Sequence, residues 1–119
     1  MKQYLLGIDI GTSACKIAIF DGDGRVIASG NGDYPVYYPQ AGWAEQNPEE
    51  WWSAVCRAVR ETLEKGKVNP GEIAGIGIDG QSWSAIPMDK NGEVLTNTPI
   101  WMDTRAADIC EEVGREVGE

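Results

Sequence analysis

The chain has 119 residues, with ten basic against nineteen acidic side chains, a formal net charge of −9 and an isoelectric point near 4.4. This length allows one domain at most, and the acidic balance argues against a nucleic-acid partner. The sequence contains no histidine, which removes histidine general bases, serine triads and most zinc sites from these residues.

The cysteines and the first residues predict a cytoplasmic protein. Cys15, Cys56 and Cys110 are odd in number and widely spaced, which is typical of free thiols in a reducing compartment. Met1-Lys2-Gln3 runs directly into an apolar stretch, so we expect no targeting leader. No apolar run approaches the roughly 20 residues of a membrane span, and we expect no membrane partner.

Two apolar runs, residues 4–8 and 17–20, flank Asp9 and a short polar turn, which predicts two strands joined by a tight hairpin. Backbone N–H groups in such a turn suit phosphate oxygens, because Gly11 lets a ligand approach without meeting a Cβ. Hydroxyls add donors, lysine adds positive charge, and a carboxylate can hold hydrated Mg²⁺. The predicted nucleotide-binding residues are Asp9, Gly11, Thr12, Ser13 and Lys16, with Asp9 as the metal ligand. An ordinary hairpin corner is an equally good interpretation of these few residues.

A third strand is predicted at residues 25–30, which completes an antiparallel three-strand meander. Residues 34–43 contain two prolines and a glycine, so we expect an ordered aromatic loop there. A helix is predicted from Asn47 as the cap and Pro48 as the first residue to Gly66. We expect its apolar stripe, including a buried cysteine, to pack in the core. The stripe consists of Trp51, Trp52, Val55, Cys56, Val59 and Leu63.

The nearly continuous apolar run at residues 73–79 predicts a strand covered on both faces. A crossover helix between two strands allows them to pair in parallel. The sequence Gly-Ile-Asp occurs at residues 7–9 and again at 77–79, so such a pairing would place Asp9 and Asp79 at one edge of the sheet. Ligands of open α/β sheets bind beyond such carboxyl ends. Each aspartate alone can also be only a strand-ending residue.

The next turn carries Gln81, Ser82 and Trp83. Polar side chains beside a flat aromatic suit a sugar, which has wet edges and an apolar face. A polar turn with a packed indole is the alternative, and these residues alone favour it slightly. Residues 85–95 then predict another hairpin, with its turn at Lys90-Asn91-Gly92.

Trp101, Asp103 and Arg105 alternate with two other residues, so on an extended backbone they would share one side. Arg105 can pair with Asp103 or meet an anionic ligand, and a structural ion pair is the commoner outcome. A helix is predicted to start at Asp103 or Thr104. Its apolar stripe consists of Ala106, Ile109, Cys110, Val113 and Val117.

Four segments in the right order resemble the FGGY family of carbohydrate kinases: GIDIGTS at 7–13, AGWAEQNPEEWW at 41–52, IGIDGQ at 76–81 and PIWMDTRA at 99–106. Within the family the chain is most similar to xylulokinases. The resemblance implies an actin-like, ribonuclease H-like α/β fold. It also implies Mg²⁺-dependent transfer of the ATP γ-phosphoryl group to a hydroxyl of xylulose or a related pentulose or polyol. The implied sugar-binding residues are Gln81, Ser82, Trp83, Trp101 and Asp103, and the turn residues predicted above match the phosphate and Mg²⁺ loop.

Two departures from the family pattern concern the site. Xylulokinases have Met-His after the glutamine, where this chain has Ser82-Trp83, so a hydrogen-bonding group at the sugar is lost. The family loop often carries further hydroxyls and an arginine, where this chain has Ala14, Cys15 and Lys16. Lysine keeps the positive charge but loses the guanidinium fork.

Length is the larger departure, because family members are several times longer. We expect residues 1–119 to be the N-terminal part of the first, sugar-binding domain, with the second domain and the catalytic base beyond residue 119. We therefore expect this piece to be inactive alone. A non-catalytic sugar-binding or regulatory module and another actin-like ATPase are the alternatives. An open sheet cut from a larger protein also exposes a strand edge, which allows a homodimer.

Overall fold

The computed structural model describes residues 2–118, and these residues form two compact units. The first unit takes the chain up to Pro35 and again from Pro48 to Gln81. The second takes Val36–Asn47 and the residues from Ser82 onward. Among the described residues, no helix is long and apolar enough to cross a membrane.

The first unit is built on the predicted antiparallel meander, which the structure confirms. Its strands are β1 (Tyr4–Ile10), β2 (Ala14–Phe20) and β3 (Val26–Asp33). β3 runs three residues beyond the predicted end, and its last residues pair with the start of β2. Alternate residues of β1 and β2, including Leu6, Ile8 and Ile17, are buried on one face of the sheet.

The helix α1 (Pro48–Gly66) has the predicted limits and covers that face. Its most buried side chains are small and recur every fourth residue, at Ala54, Ala58 and Thr62. Two glycines of β3 make room for them. A Cβ on Gly32 would lie 2.9 Å from the Ala54 carbonyl oxygen, and one on Gly30 would lie 2.5 Å from the Thr62 hydroxyl. Helix and strand backbones therefore approach closely at this contact.

This close contact turns the predicted apolar stripe partly away from the sheet. Val55 is buried, whereas Val59 and Leu63 are half-buried. The predictions for Trp52 and Cys56 were wrong, because Trp52 is 66% exposed and Cys56 is half-buried. The small residues, rather than the large apolar ones, face the strand that has glycines at matching positions.

The strand β5 (Ile73–Gly80) pairs with β1 in parallel, so the sheet order is β3-β2-β1-β5. This confirms the crossover inferred from the helix between the two strands. The expectation of a strand covered on both faces was wrong. Ile76 is 60% exposed and Ile78 is 71% exposed, because β5 lies at the edge of the sheet and α1 packs mainly over β2 and β3.

The second unit contains a short ladder that the sequence did not predict. The strands β4 (Glu45–Gln46) and β6 (Thr98–Pro99) pair antiparallel, and Thr98 and Gln46 are buried. The turn predicted at residues 90–92 is present, with the Gly92 N–H donating to the Asp89 carbonyl oxygen at 3.1 Å. The predicted hairpin around it is present but short. The Asp89 N–H donates to the Glu93 carbonyl oxygen, the Leu95 N–H donates to the Pro87 carbonyl oxygen, and one antiparallel bridge joins Met88 and Val94.

The helix α2 (Ala107–Val117) starts a few residues later than predicted, and its apolar stripe is not buried. Ile109 is 63%, Val113 49% and Val117 76% exposed, and Cys110 is exposed as well. The described part of the second unit therefore leaves this face of α2 open to solvent.

Candidate functional site

Asp9 and Asp79 occupy directly paired positions at one edge of the sheet. β1 and β5 are parallel and in register, with Gly7 opposite Gly77 and Asp9 opposite Asp79. Both carboxylates are exposed and project to the same face, because paired residues of neighbouring strands share a face. The juxtaposition predicted from the repeated Gly-Ile-Asp is confirmed.

The face of the sheet that α1 leaves uncovered carries an open cavity of about 880 Å³. Asp9, Asp79 and Lys16 lie on its wall, with Lys16 directly across the strand pair from Asp9. Apolar and small residues form its floor, so charged groups border an otherwise apolar concave surface. The remaining lining residues include Gly7, Ala18, Phe20, Ser29, Asn31, Lys65 and Gly77.

The turn between β1 and β2 is closed by its own hydrogen bond. The Gly11 N–H donates to the Ala14 carbonyl oxygen at 3.0 Å, so this amide serves the turn. Thr12 is half-buried and Ser13 is exposed. Their hydroxyls remain the predicted hydrogen-bond donors to phosphate oxygens. A Cβ on Gly11 would lie 3.0 Å from the Ala14 carbonyl oxygen, so the glycine relieves crowding within the turn itself.

Tyr34 supports this turn and was missed by sequence reasoning. Its hydroxyl donates to the Gly11 carbonyl oxygen at 2.5 Å, and its N–H donates to the Ser13 carbonyl oxygen at 3.2 Å. The side chain is buried. Burial, followed by the nearby Cys15 and Asp9, raises the pKa of Tyr34 to about 12. The only sequence signal was its position directly after the third strand. The predicted end of that strand, residue 30, lies three residues before the observed end at Asp33.

Gln81 contacts the same carbonyl. Its Nε2 donates to the Gly11 carbonyl oxygen at 3.4 Å, and its backbone N–H donates to the Ile10 carbonyl oxygen at 2.8 Å. The residue following β5 is thus attached to the turn following β1. The structure therefore brings Gln81 together with the predicted phosphate turn within the first unit.

The rest of the predicted sugar-contacting turn, Ser82 and Trp83, belongs to the second unit. Both residues are exposed, Trp83 by 91%. The alternative interpretation, a polar turn with the Trp83 indole packed against the protein, was therefore wrong. Trp83 also has a left-handed backbone, with φ of 67°. The Ser84 hydroxyl is buried and has no hydrogen-bond partner among the described residues.

Trp101 and Asp103 differ sharply in accessibility. Trp101 is 54% exposed, whereas the Asp103 side chain is only 5% exposed. The backbone is not extended here, because the Asp103 N–H donates to the Ile100 carbonyl oxygen in a turn, so the condition for these residues to share one side is not met. Hydrogen bonds from the Arg105 side chain and from the Ala44 and Arg105 backbone lower the pKa of Asp103 to about 2, although burial opposes the shift.

Arg105 forms the structural ion pair that the sequence suggested, and a second one that it did not. Its guanidinium contacts Asp103 at 2.8 Å and Glu45 at 2.7 Å, and it stacks 3.8 Å from the centroid of the Trp43 ring. Hydrogen bonding to Asp103, followed by Glu45, raises the pKa of Arg105 further. These contacts fix the Trp43 loop and the Trp101 segment to each other inside the second unit.

The metal prediction rests on a single carboxylate. Among residues 2–118, no group of three or more histidine, cysteine, aspartate or glutamate side chains is arranged to hold a metal ion. An exposed carboxylate such as Asp9 suits a Mg²⁺ that keeps most of its water and is also held by phosphate oxygens.

Comparison with known proteins gives a consistent answer. Residues 4–119 match the model of the FGGY family of carbohydrate kinases, N-terminal domain. A glycerol kinase of Thermococcus gammatolerans is 40% identical over 119 residues, which is 100% of this chain and 24% of that protein. The chain thus spans about a quarter of the length of the curated relatives it matches.

Solved structures show the same fold. A gluconate kinase from Lactobacillus acidophilus superposes with a TM-score of 0.90 at 30% identity, covering 99% of this chain and 23% of that one. A ligand-bound xylulose kinase from the same species gives a TM-score of 0.88 at 30% identity, covering 98% and 23%. The predicted actin-like α/β fold is confirmed. This chain belongs to the FGGY family of carbohydrate kinases, and it matches the N-terminal domain of that family.

Proposed function

We propose that this chain is the N-terminal part of the first domain of a sugar kinase that transfers the γ-phosphoryl group of ATP to a sugar hydroxyl. The observation that carries the proposal is the register of β1 and β5, which pairs Asp9 with Asp79 at one sheet edge. A hydroxyl-bearing turn follows the first strand and Gln81 follows the second. Family membership supports the same assignment.

The nucleotide side of the proposal rests on the β1–β2 turn. Thr12 and Ser13 would hold phosphate oxygens through their hydroxyls, and Lys16 would offset phosphate charge. Asp9 would hold the hydrated Mg²⁺, which when bound neutralises charge on the transferring phosphoryl group. Gly11 keeps the turn tight, and Tyr34 fixes it through the Gly11 carbonyl. The lining of the adjacent cavity, with Asp9, Asp79 and Lys16 at its edge, fits a hydrated Mg²⁺ held together with phosphate oxygens.

The residues proposed for the acceptor are Gln81 in the first unit and, in the second unit, Ser82, Trp83, Trp101 and Asp103. Gln81 would orient a sugar hydroxyl while its amide is held by the phosphate turn, which favours alignment of acceptor and donor. The exposed indoles of Trp83 and Trp101 offer apolar surface. Asp103 already accepts hydrogen bonds from Ala44 and Arg105, so we assign it the role of holding the Trp101 segment in place.

The acceptor is proposed to be xylulose or a related pentulose or polyol. Relatives named glycerol kinase and neighbours named gluconate kinase and xylulose kinase show that the family scaffold is associated with several acceptors. Sequence identity of 30–40% over this part does not separate them. Phosphoryl transfer needs groups on both sides of the reacting atoms, so residues 1–119 alone are proposed to be inactive, with the base in the polypeptide that follows.

The test is ADP release by the full-length polypeptide that contains this chain, with glycerol, gluconate, xylulose or xylitol as acceptor and Mg²⁺ present. We expect ATP turnover that depends on a five-carbon or longer acceptor, and none from residues 1–119 alone. Sugar binding without any phosphorylation would favour a non-catalytic module. ATP turnover that no acceptor changes would favour another actin-like ATPase.

A further inference from the structure

Tyr34 holds the turn between β1 and β2 at two of its carbonyl groups. Its hydroxyl donates to the Gly11 carbonyl oxygen at 2.5 Å, and its backbone N–H donates to the Ser13 carbonyl oxygen at 3.2 Å. Gln81 Nε2 is a second, longer donor to the Gly11 oxygen, at 3.4 Å. The hydroxyl-bearing pair Thr12-Ser13 therefore lies between two carbonyl groups that the same residue holds.

The direction of these carbonyl groups decides which charge the turn presents to a ligand. A carbonyl oxygen is the negative end of a peptide dipole, and in a trans peptide the N–H of the next residue points the opposite way. The described part of the chain has no cis peptide bond, so the hydrogen bonds on the Gly11 oxygen also set the direction of the Thr12 N–H. Tyr34 thus turns the negative ends of two peptide groups toward itself, a buried residue.

The charges around the turn make this direction important for a phosphate. The chain has a net charge of −9, and the exposed Asp9 and Asp79 lie at the same sheet edge. Lys16 is the cation paired with Asp9 across the two strands. A carbonyl oxygen turned toward a phosphate would add repulsion at an edge that is already acidic. Binding of an anion here therefore requires that the carbonyl groups of the turn point elsewhere.

The environment of Tyr34 keeps its hydroxyl a proton donor at a fixed place. Burial, followed by Cys15 and Asp9, raises the pKa of Tyr34 to about 12, so the phenol stays protonated at the pH of an enzyme assay. The residue directly follows β3 and packs in the core of the first unit. Its position is therefore set by the sheet and not by the turn that it holds.

We propose that Tyr34 is a positioning residue for the nucleotide phosphates, because it holds the carbonyl groups of Gly11 and Ser13 away from them. This inference rests on the proposed function and deepens it, by naming a residue outside the turn that decides whether the turn accepts an anion. Without the hydroxyl, the Gly11–Thr12 peptide group is held less firmly, since the remaining Gln81 donor is 3.4 Å away. Nucleotide binding must then restore the orientation of the peptide group, which lowers affinity.

The experiment measures dissociation constants of ATP, ADP and adenosine, with Mg²⁺ present, for the full-length polypeptide and its Tyr34→Phe and Tyr38→Phe variants. Tyr34→Phe should bind ATP and ADP about 5-fold more weakly, as expected for one neutral hydrogen bond. Adenosine has no phosphate, so its dissociation constant, measured by competition with ATP, should change less than about 2-fold. Tyr38→Phe is the matched control, because Tyr38 is 66% exposed and should leave all three constants unchanged.

A second measurement observes the peptide group itself, without any ligand. Gly11-Thr12 is the one Gly-Thr pair in the chain, so glycine labelled with ¹³C at the carbonyl and threonine labelled with ¹⁵N select this peptide bond for NMR. Loss of the signal in Thr12→Ser identifies it in the full-length polypeptide. Tyr34→Phe should shift the Gly11 carbonyl resonance upfield, because a hydrogen bond to that oxygen is lost, and Tyr38→Phe should not.

Three results would overturn the inference while acceptor-dependent turnover by the parent protein upholds the kinase assignment. They are an unchanged affinity for ATP in folded Tyr34→Phe, an equal loss of affinity for ATP and adenosine, and an unmoved Gly11 carbonyl resonance. Equal losses would mean that Tyr34 has only a structural role. If the parent protein itself binds no ATP, the proposed function fails, and the inference fails with it. Circular dichroism of each variant separates lost folding from lost binding.

Discussion

Replacing Tyr34 with phenylalanine removes one hydroxyl from beneath the predicted phosphate turn. In the parent chain this hydroxyl donates to the Gly11 carbonyl oxygen at 2.5 Å, and the side chain is only 6% exposed. The variant retains the ring, so its packing is preserved. The loss is therefore that of a single buried hydrogen bond at the turn that follows Asp9.

The expected cost is about 1 kcal/mol in the free energy of unfolding at pH 7. It is not larger, because the Gly11 carbonyl oxygen keeps the Gln81 Nε2 donor at 3.4 Å and is not left without a partner. For a chain of this size such a loss corresponds to a decrease of about 4 °C in melting temperature.

The pH dependence gives a sharper expectation. The pKa of Tyr34 is raised from 10.0 to about 12 in the folded chain, so the fold favours the neutral phenol. The contribution of the neutral Tyr34 phenol to the free energy of unfolding is fully present below pH 10 and is lost as the pH rises from 10 towards 12. The stability difference between Tyr34 and its phenylalanine variant should therefore narrow across this interval.

Urea denaturation of both proteins at several pH values between 7 and 12 measures this difference directly. Tyr38→Phe is the control, because Tyr38 is 66% exposed and loss of its hydroxyl should change little. The reasoning is refuted if Tyr34→Phe is as stable as the parent at pH 7. A stability gap that stays constant from pH 8 to pH 12 would equally contradict it.

Three further outcomes are expected. Asp103→Asn should lower the urea midpoint at pH 7. Because the hydrogen bonds that depress the pKa of Asp103 stabilise only its ionised form, this deficit should shrink as the pH falls from about 4 to about 2. A deficit that does not change with pH would contradict this. Gly32→Ala should cost about 1–3 kcal/mol by thermal denaturation, because its Cβ would lie 2.9 Å from a helix carbonyl oxygen, whereas Gly77→Ala meets nothing within 4 Å and should be nearly neutral. The isolated chain should self-associate in light scattering at high concentration through the open edge of β5, and Ile78→Lys should suppress this while Ile27→Lys, on the opposite edge strand, should not.

Local patterns and one topological rule were enough to predict the sheet edge. The two Gly-Ile-Asp sequences and the helix between them imply a parallel pair, and Asp9 and Asp79 are indeed in register. The limits of α1 were predicted from Pro48 and Gly66, because proline and glycine constrain the backbone at their own positions. Such signals are contained within a few residues and do not depend on distant parts of the chain.

The main features of the site and the core that escaped prediction depend on contacts between distant residues. Arg105 meets Glu45 sixty positions away, and Tyr34 meets Gly11 across the meander. The buried side of α1 was decided by glycines in β3, which no helical periodicity reveals. The exposure of β5 depends on what covers the sheet, and residues 2–118 cover only part of it.

The central claim is that the turn after β1, with Asp9, binds the magnesium-bound phosphates of a nucleotide for transfer to a sugar. Acceptor-dependent ADP release by full-length Asp9→Asn tests it most directly, with Asp23→Asn as the control at an exposed turn between β2 and β3. Asp9→Asn should lower kcat by about 100-fold or more, while Asp23→Asn should leave it unchanged. Full acceptor-dependent activity in Asp9→Asn would contradict the account.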